Sequence, residues 1–134
     1  MTVQELSQLY YLNREIELDQ KRLKELEARL GPRSPRLTGM PKGSNVTDSH
    51  TEQLVEKIVD LKAIIEAKQM RCMEERARLE RYIDTIPDSE TRMIFTLRFI
   101  NGLPWAQVAA HMGRGYLGES LKKKCYRYLK GSSG

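Results

Sequence analysis

Apolar positions along the first thirty residues recur every seventh place. Leu9, Ile16, Leu23 and Leu30 form one series; Leu12 and Leu26 stand three places on in a second, which Asp19 interrupts. That is the a/d seam of a coiled helix, and it predicts an unbroken helix over 3–30. A second stretch, 48–86, repeats the pattern with Ile58, Ile65, Cys72, Leu79 and Ile86, supported by Leu54, Leu61 and Tyr82. Thr47 or Asp48 can cap its start, and Pro87 ends it. Lys68 and Glu75 occupy seam positions in its second half. The seam is therefore expected to weaken there and to take a second copy of the chain, or the C-terminal region, against it.

Between these stretches lies GPRSPRLTGMPKGSNVT, residues 31–47, with three Gly, three Pro and two Ser. That composition excludes a helix or a buried strand and predicts a flexible hairpin loop. Its Arg33, Arg36 and Lys42, with no acidic residue among them, also suit it to touching phosphates. The expectation for 1–87 is a long antiparallel coiled-coil hairpin.

After Pro87 the periodicity shortens. Residues 88–101, DSETRMIFTLRFIN, predict a helix capped by Asp88 or Ser89 and stopped by Gly102, with Met93, Ile94, Leu97 and Ile100 on its apolar face and Phe99 alongside. Next comes LPWAQVAAHMGRG, in which Trp105, Val108, Ala109 and Met112 fall at helical spacing. Leu103 is expected at its N-cap, with Pro104 as the first helical residue. A helix of about two and a half turns does not hold itself together in water, so its neighbours must use it. A third helix is expected over 118–130, burying Leu121, Cys125, Tyr128 and Leu129 and leaving its lysines and arginine largely outside. A short helix, a glycine-containing turn and a basic amphipathic helix together make a helix-turn-helix. The fold expected for the chain is all-α: the hairpin over 1–87, the helix-turn-helix domain over 88–130, and a disordered tail over 131–134 whose GSSG is set aside from the fold.

Charge sharpens this division. Residues 1–87 hold 15 basic and 15 acidic residues, whereas 88–134 hold 8 basic and 3 acidic, the whole of the net charge of +5. A balanced part joined to a basic part suggests a scaffold and a surface that meets a polyanion. No apolar run is long enough to span a membrane, and the first residues lack a signal-peptide pattern. Cys72 and Cys125 form no C-x-x-C pair and no metal-ligand spacing with His50 or His111. Two unpaired thiols suit a reducing cytoplasm. No catalytic constellation, phosphate-cradling glycine loop or cofactor motif is present, so an enzyme is not expected.

The run R-x-I-F-x-L-R-F-x-N-G-L-x-W-x-x-V-A-x-H-M-G, Arg92 to Gly113, resembles region 4 of sigma-70-type factors, the module that reads the promoter −35 element. The whole chain is similar to small phage and prophage regulators with sigma-like C-termini, the RinA/ArpU-type late transcription regulators. In some of these an N-terminal helix like ELSQLYYLNREIE and a loop like SPRLTGMPKG also occur. The resemblance implies a DNA-binding regulator of phage late genes, acting in the cytoplasm of a bacterial host and touching RNA polymerase as sigma region 4 does. One departure stands out. The position of the apolar recognition-helix residue, ten after the turn-packing Ala109, holds Glu119, and Leu121 lies two further on. The turn is longer by two residues, so base-reading positions are assigned by helical phase.

On that phase Glu119, Ser120, Lys122 and Lys123 are expected to face the groove, Glu119 accepting from cytosine and the lysines donating to guanine. Arg114, Lys124, Arg127 and Lys130 are expected on phosphates. Tyr116, in the turn, is open between nucleic acid and core. Trp105 is read as core rather than a stacking platform, Arg98 as an internal ion-pair partner rather than a DNA contact, and His111 as exposed. One such unit buries limited surface, so a homodimer on two half-sites of double-stranded DNA fits the coil. Two other readings share the pattern: a DNA-packaging protein of small-terminase type, which would assemble as a ring, and a coiled-coil protein-interaction or inhibitor module, which would leave the concentration of charge unexplained.

Overall fold

The start of the first helix is written in its first residues. In T-V-Q-E the Glu5 amide donates to Thr2 Oγ1 (3.1 Å) and the Thr2 amide donates back to Glu5 Oε2 (2.8 Å). This reciprocal capping box satisfies two amides that a helix start leaves without partners. It also holds the Glu5 carboxyl below its ordinary pKa, chiefly through the Thr2 backbone. From there α1 (Val3–Leu30) runs without a break. The computed structural model describes residues 1–31 and 45–132, all of its elements being helical. α2 (Asn45–Asp84) is followed by α3 (Ser89–Phe95), which continues as a π turn over Thr96–Ile100, then by α4 (Trp105–Met112) and α5 (Gly118–Ser132). No helix among the described residues is long and apolar enough to cross a membrane. The loop expected over 31–47 lies outside the described residues from 32 to 44, and so do the side chains of Thr47 and Asp48. α2 begins three residues ahead of Asp48 and ends three residues before Pro87. α5 continues two residues into the expected tail, and residues 133–134 lie outside the description.

The chain divides into two compact units, residues 14–70 and residues 1–13 with 71–134. The expected boundary at 87 therefore falls inside the second of these.

In the 14–70 unit, Ile16, Leu26, Leu54, Ile58, Leu61 and Ile65 are buried. Asp19 meets Lys68 (2.6 Å), and further along α1 Glu27 meets Lys62 (3.9 Å) further back along α2, so the two segments run antiparallel. The Asp19–Lys68 contact corrects the expectation of a weakened seam at Lys68. The polar break in one series faces the polar break in the other. Its hydrogen bond to Asp19 pushes the Lys68 pKa up, and Glu15 adds a second carboxylate at 3.5 Å. A paired polar contact in an apolar seam favours one register, because a slip of one heptad sets Lys68 against Leu12 or Leu26 and Asp19 against Leu61 or the like charge of Glu75.

In the other unit the ends of α1 and α2 again run antiparallel, with Asn13 beside Cys72 (3.5 Å) and Glu5 beside Arg78 (3.2 Å). Glu75, the other polar seam residue, pairs with Arg78 at 2.7 Å. Leu6, Leu79, Ile83, Ile86, Ile94, Phe95, Phe99, Val108, Leu121, Cys125 and Leu129 supply the core. Phe95 stands at its centre: its ring lies 6.4 Å from Tyr82 of α2, 5.4 Å from Phe99 and 5.6 Å from Tyr128 of α5. The expected apolar face of α3 therefore needs correcting. Met93 is half exposed, and Phe95 takes the central place. A short helix enclosed on several sides has no single stripe for periodicity to find.

The α2–α3 corner is tied by Arg92, whose Nη1 donates to the carbonyls of Ile86 (2.6 Å) and Pro87 (3.2 Å). Asp88 is the N-cap of α3. Its Oδ2 accepts from the Thr91 amide (3.1 Å) and the buried Thr91 hydroxyl (2.5 Å). Those two bonds hold the Asp88 carboxyl below its ordinary value of 3.8, with Lys124 and Arg92 adding to the effect. A carboxylate whose pKa is lower folded than unfolded stabilises the fold fully above the unfolded value, and that stabilisation is lost as pH falls through the folded one. The melting temperature should therefore drop on acidification from about pH 5 to about pH 2. In Asp88→Asn, whose amide oxygen still accepts, the part of that drop due to this residue should vanish. Parallel curves for the two proteins would remove the cap from the acid response.

Candidate nucleic-acid interface

The helices at the C-terminal end are placed by a few specific contacts. α3 passes into its π turn at Thr96, whose carbonyl accepts from the Asn101 amide (3.0 Å). The chain then reverses at Gly102, and Leu103 donates its amide to the Leu97 carbonyl (3.1 Å). Arg98 braces this reversal: Nη1 donates to the Leu103 carbonyl (3.0 Å), and the guanidinium lies over the Trp105 ring, 4.8 Å from its centroid. Arg98 is thus held internally by a carbonyl and a ring, in place of the ion pair expected from the sequence. Trp105 belongs to the cluster of Ile94, Val108, Ala109 and Leu121. Its buried indole N–H has no hydrogen-bond partner among the described residues.

The cap of α4 sits one residue later than expected. Pro104, with φ −60° and ψ 153°, is itself the extended N-cap, and its carbonyl accepts from Gln107 and Val108. α4 ends at Met112, and Gly113, with φ +116°, takes the left-handed conformation that L side chains rarely adopt. Five residues, 113–117, join α4 to α5.

Ala109 packs in the cluster as expected of a small residue there, and α5 also comes close to the α4 backbone at Gly118. A Cβ built on Gly118 would lie 3.1 Å from the backbone C and O of Trp105 and 3.3 Å from the Ala106 amide nitrogen. Gly118→Ala should destabilise the fold by about 1–3 kcal/mol, the scale of overpacking, despite alanine's better helix propensity. Thermal unfolding checks this; a raised melting temperature would show that the first turn of α4 yields without strain.

α5 buries Leu121, Cys125 and Leu129, with Tyr128 partly covered, the face its periodicity predicts. Burial pushes the Cys125 thiol up to about 12, against the opposing pull of the Arg98 charge, so this cysteine is a core residue and an inert one. At 3.6 residues per turn the opposite face carries Glu119, Lys123, Arg127 and Lys130 in one row, with Ser120 and Tyr126 beside it. All six are exposed, as is Arg114 in the connection. Lys122 lies on the flank, half-buried, its Nζ 5.9 Å from the Tyr126 ring centroid. His111 is exposed, hydrogen-bonded through Nδ1 to the Gln107 carbonyl (2.9 Å).

Two nominated residues are placed differently. Lys124 is ion-paired to Glu90 of α3, and Tyr116 donates its hydroxyl to the other oxygen of the same carboxylate (2.9 Å). Both are turned toward α3 and away from the row of cations. The phase count placed Lys124 on the flank and could not see which neighbour lay there. Of the three acidic residues in the last third, Asp88 thus caps α3 and Glu90 anchors Tyr116 and Lys124. Glu119 alone shares the exposed row with Lys123, Arg127 and Lys130. Sequence reasoning also passed over Leu117, which is 67% exposed just ahead of α5, and Tyr126 at 41%.

Among the described residues no group of three or more His, Cys, Asp or Glu side chains could hold a metal ion. Comparison with protein-family models, with curated proteins and with solved structures matches the chain to no family, no relative and no structural neighbour.

Proposed function

We propose that the chain is a sequence-specific DNA-binding transcription regulator. In this reading α4 and α5 form a helix-turn-helix, α5 lies in the major groove, and α1 with α2 forms a coiled-coil hairpin that carries the module. The observation that supports it most is the charge arrangement on α5. The fold uses Asp88 and Glu90 internally, and the outward row keeps three cations and a single carboxylate at its N-terminal end. Phosphate contacts from such a row supply affinity, while Glu119 and Ser120, near the helix start, are placed for base edges. Of the nominated contacts, Arg114, Glu119, Ser120, Lys122, Lys123, Arg127 and Lys130 remain, and Tyr116 and Lys124 become supports of the helix.

Regulation of phage or prophage late genes, a bacterial cytoplasmic setting and contact with RNA polymerase rest on the resemblance to sigma region 4 and the late regulators. A homodimer reading two half-sites is the assembly that best fits a module of this size.

Selection of duplexes from a randomised pool by the purified chain, repeated at low and near-physiological salt, tests the reading. A single enriched motif that survives the higher salt is expected. Uniform weak binding that vanishes with salt would reduce the interface to phosphate contact. Absence of binding would favour a protein-interaction coil, and a ring of many subunits in solution would favour the packaging role.

A further inference from the structure

We propose that the cleft between Tyr10 and Tyr11 of α1 and Arg98 of the π turn is a binding site for a small organic carboxylate with a flat apolar body. None of the residues lining it belongs to α5, and the inference stands independently of DNA binding. The cation is the starting point. Arg98 carries five N–H donors and no acceptor. Among the described residues its one hydrogen bond runs from Nη1 to the Leu103 carbonyl, and it makes no ion pair. The side chain is half-buried, with its guanidinium against the Trp105 ring. Its charge reaches the core, where it pulls on the pKa of the buried Cys125 thiol. A cation drawn partly out of water and given no anion loses hydration without compensation. A carboxylate supplies that compensation best, because it accepts two parallel N–H bonds from one guanidinium.

The cleft gives that anion a body to match. Its volume is about 350 Å³, at the small end of ligand pockets, which suits a single ring with a short acid arm. Phe99 and Pro104 add apolar wall to the two tyrosines, whose rings meet edge to face at 5.3 Å. Tyr10 packs beside the chain reversal, since a Cβ built on Gly102 would lie 3.7 Å from its Cδ1. Tyr10 and Tyr11 are nonetheless 44% and 61% exposed, and a bound ring would cover that surface. No acidic residue lines the cleft. A lone guanidinium facing aromatic walls selects an anion over a cation, and one with a ring over one without.

Phenylacetate is the probe, with acetate lacking the ring and 2-phenylethanol lacking the charge. Calorimetric titration of the full chain should give one saturable site for phenylacetate. The neutral alcohol should bind about tenfold more weakly or worse, the scale of one charge-assisted hydrogen bond, and acetate at least about fourfold more weakly. Trp105 is the single tryptophan and lies against the guanidinium, so its emission should change over the same concentration range. Arg98→Gln should weaken phenylacetate binding about tenfold or more. Because it also unbraces the Gly102 reversal, a second variant separates binding from folding. Tyr11→Ala, at an exposed position, should melt as wild type, bind phenylacetate about fourfold more weakly, the scale of one buried CH₂, and leave acetate unchanged. No saturable binding, equal affinity for the alcohol, or phenylacetate affinity unmoved in both variants overturns the assignment. Binding of a short glutamate-containing peptide where no free carboxylate binds overturns it in favour of a protein contact. None of these outcomes depends on whether the chain binds DNA.

Discussion

Phe95→Ala is expected to cost about 3–5 kcal/mol, the scale for removing a buried phenylalanine. The ring is fully buried and forms edge or tilted pairs with Tyr82, Phe99 and Tyr128, each of which adds to area burial when its geometry is favourable. These partners come from α2, the π turn and α5, so a cavity here loosens three elements at once. Set against a total stability of about 5–15 kcal/mol, the loss is large. The melting temperature should fall by at least ~12 °C on the scaling for a small domain. Phe95→Leu, which keeps most of the volume, should fall much less. Equal, small shifts in both variants would show that the C-terminal helices are held by the Ile94–Val108–Leu121 cluster and not by the aromatic one.

The second large effect concerns binding. Arg114→Ala and Arg127→Ala combined should leave folding intact, because both side chains are exposed. Each phosphate contact removed lowers the slope of log affinity against log salt by about 0.9, so two should reduce it by roughly 2. At near-physiological salt that amounts to about thirtyfold weaker binding, nearly uniform across sequences, because phosphates carry no sequence information. Affinity measured across a salt series gives both numbers. An unchanged slope would mean that the row of cations on α5 does not meet DNA, even if another surface does. Glu90→Gln makes an informative companion variant, since it releases Lys124 and weakens the hold on Tyr116 without touching the outward row.

Much of the helical framework is legible along the chain because helices announce themselves locally. The seven-residue repeats place α1 and α2, and the turn residues 113–117 bound α4 and α5. The Leu121–Cys125–Leu129 spacing gives the buried face of α5. The capping box of Thr2 and Glu5 is equally local. Two polar residues in the seams, Asp19 and Lys68, could be seen as interruptions of separate patterns; that they answer each other follows only when the two helices are set side by side.

Periodicity fixes which residues of an isolated helix share a face, and so the sequence by itself determined that the described residues are helical, roughly where the helices run, and that the excess positive charge sits on the last third. Tertiary structure decided what each face meets. It turned Phe95 into the centre of a core, set Gly118 against the backbone of α4, and spent Lys124 and Tyr116 on Glu90 while leaving Leu117 outside. Those assignments depend on neighbours far apart in sequence, such as Glu90 and Lys124, and no local spacing encodes such a distance.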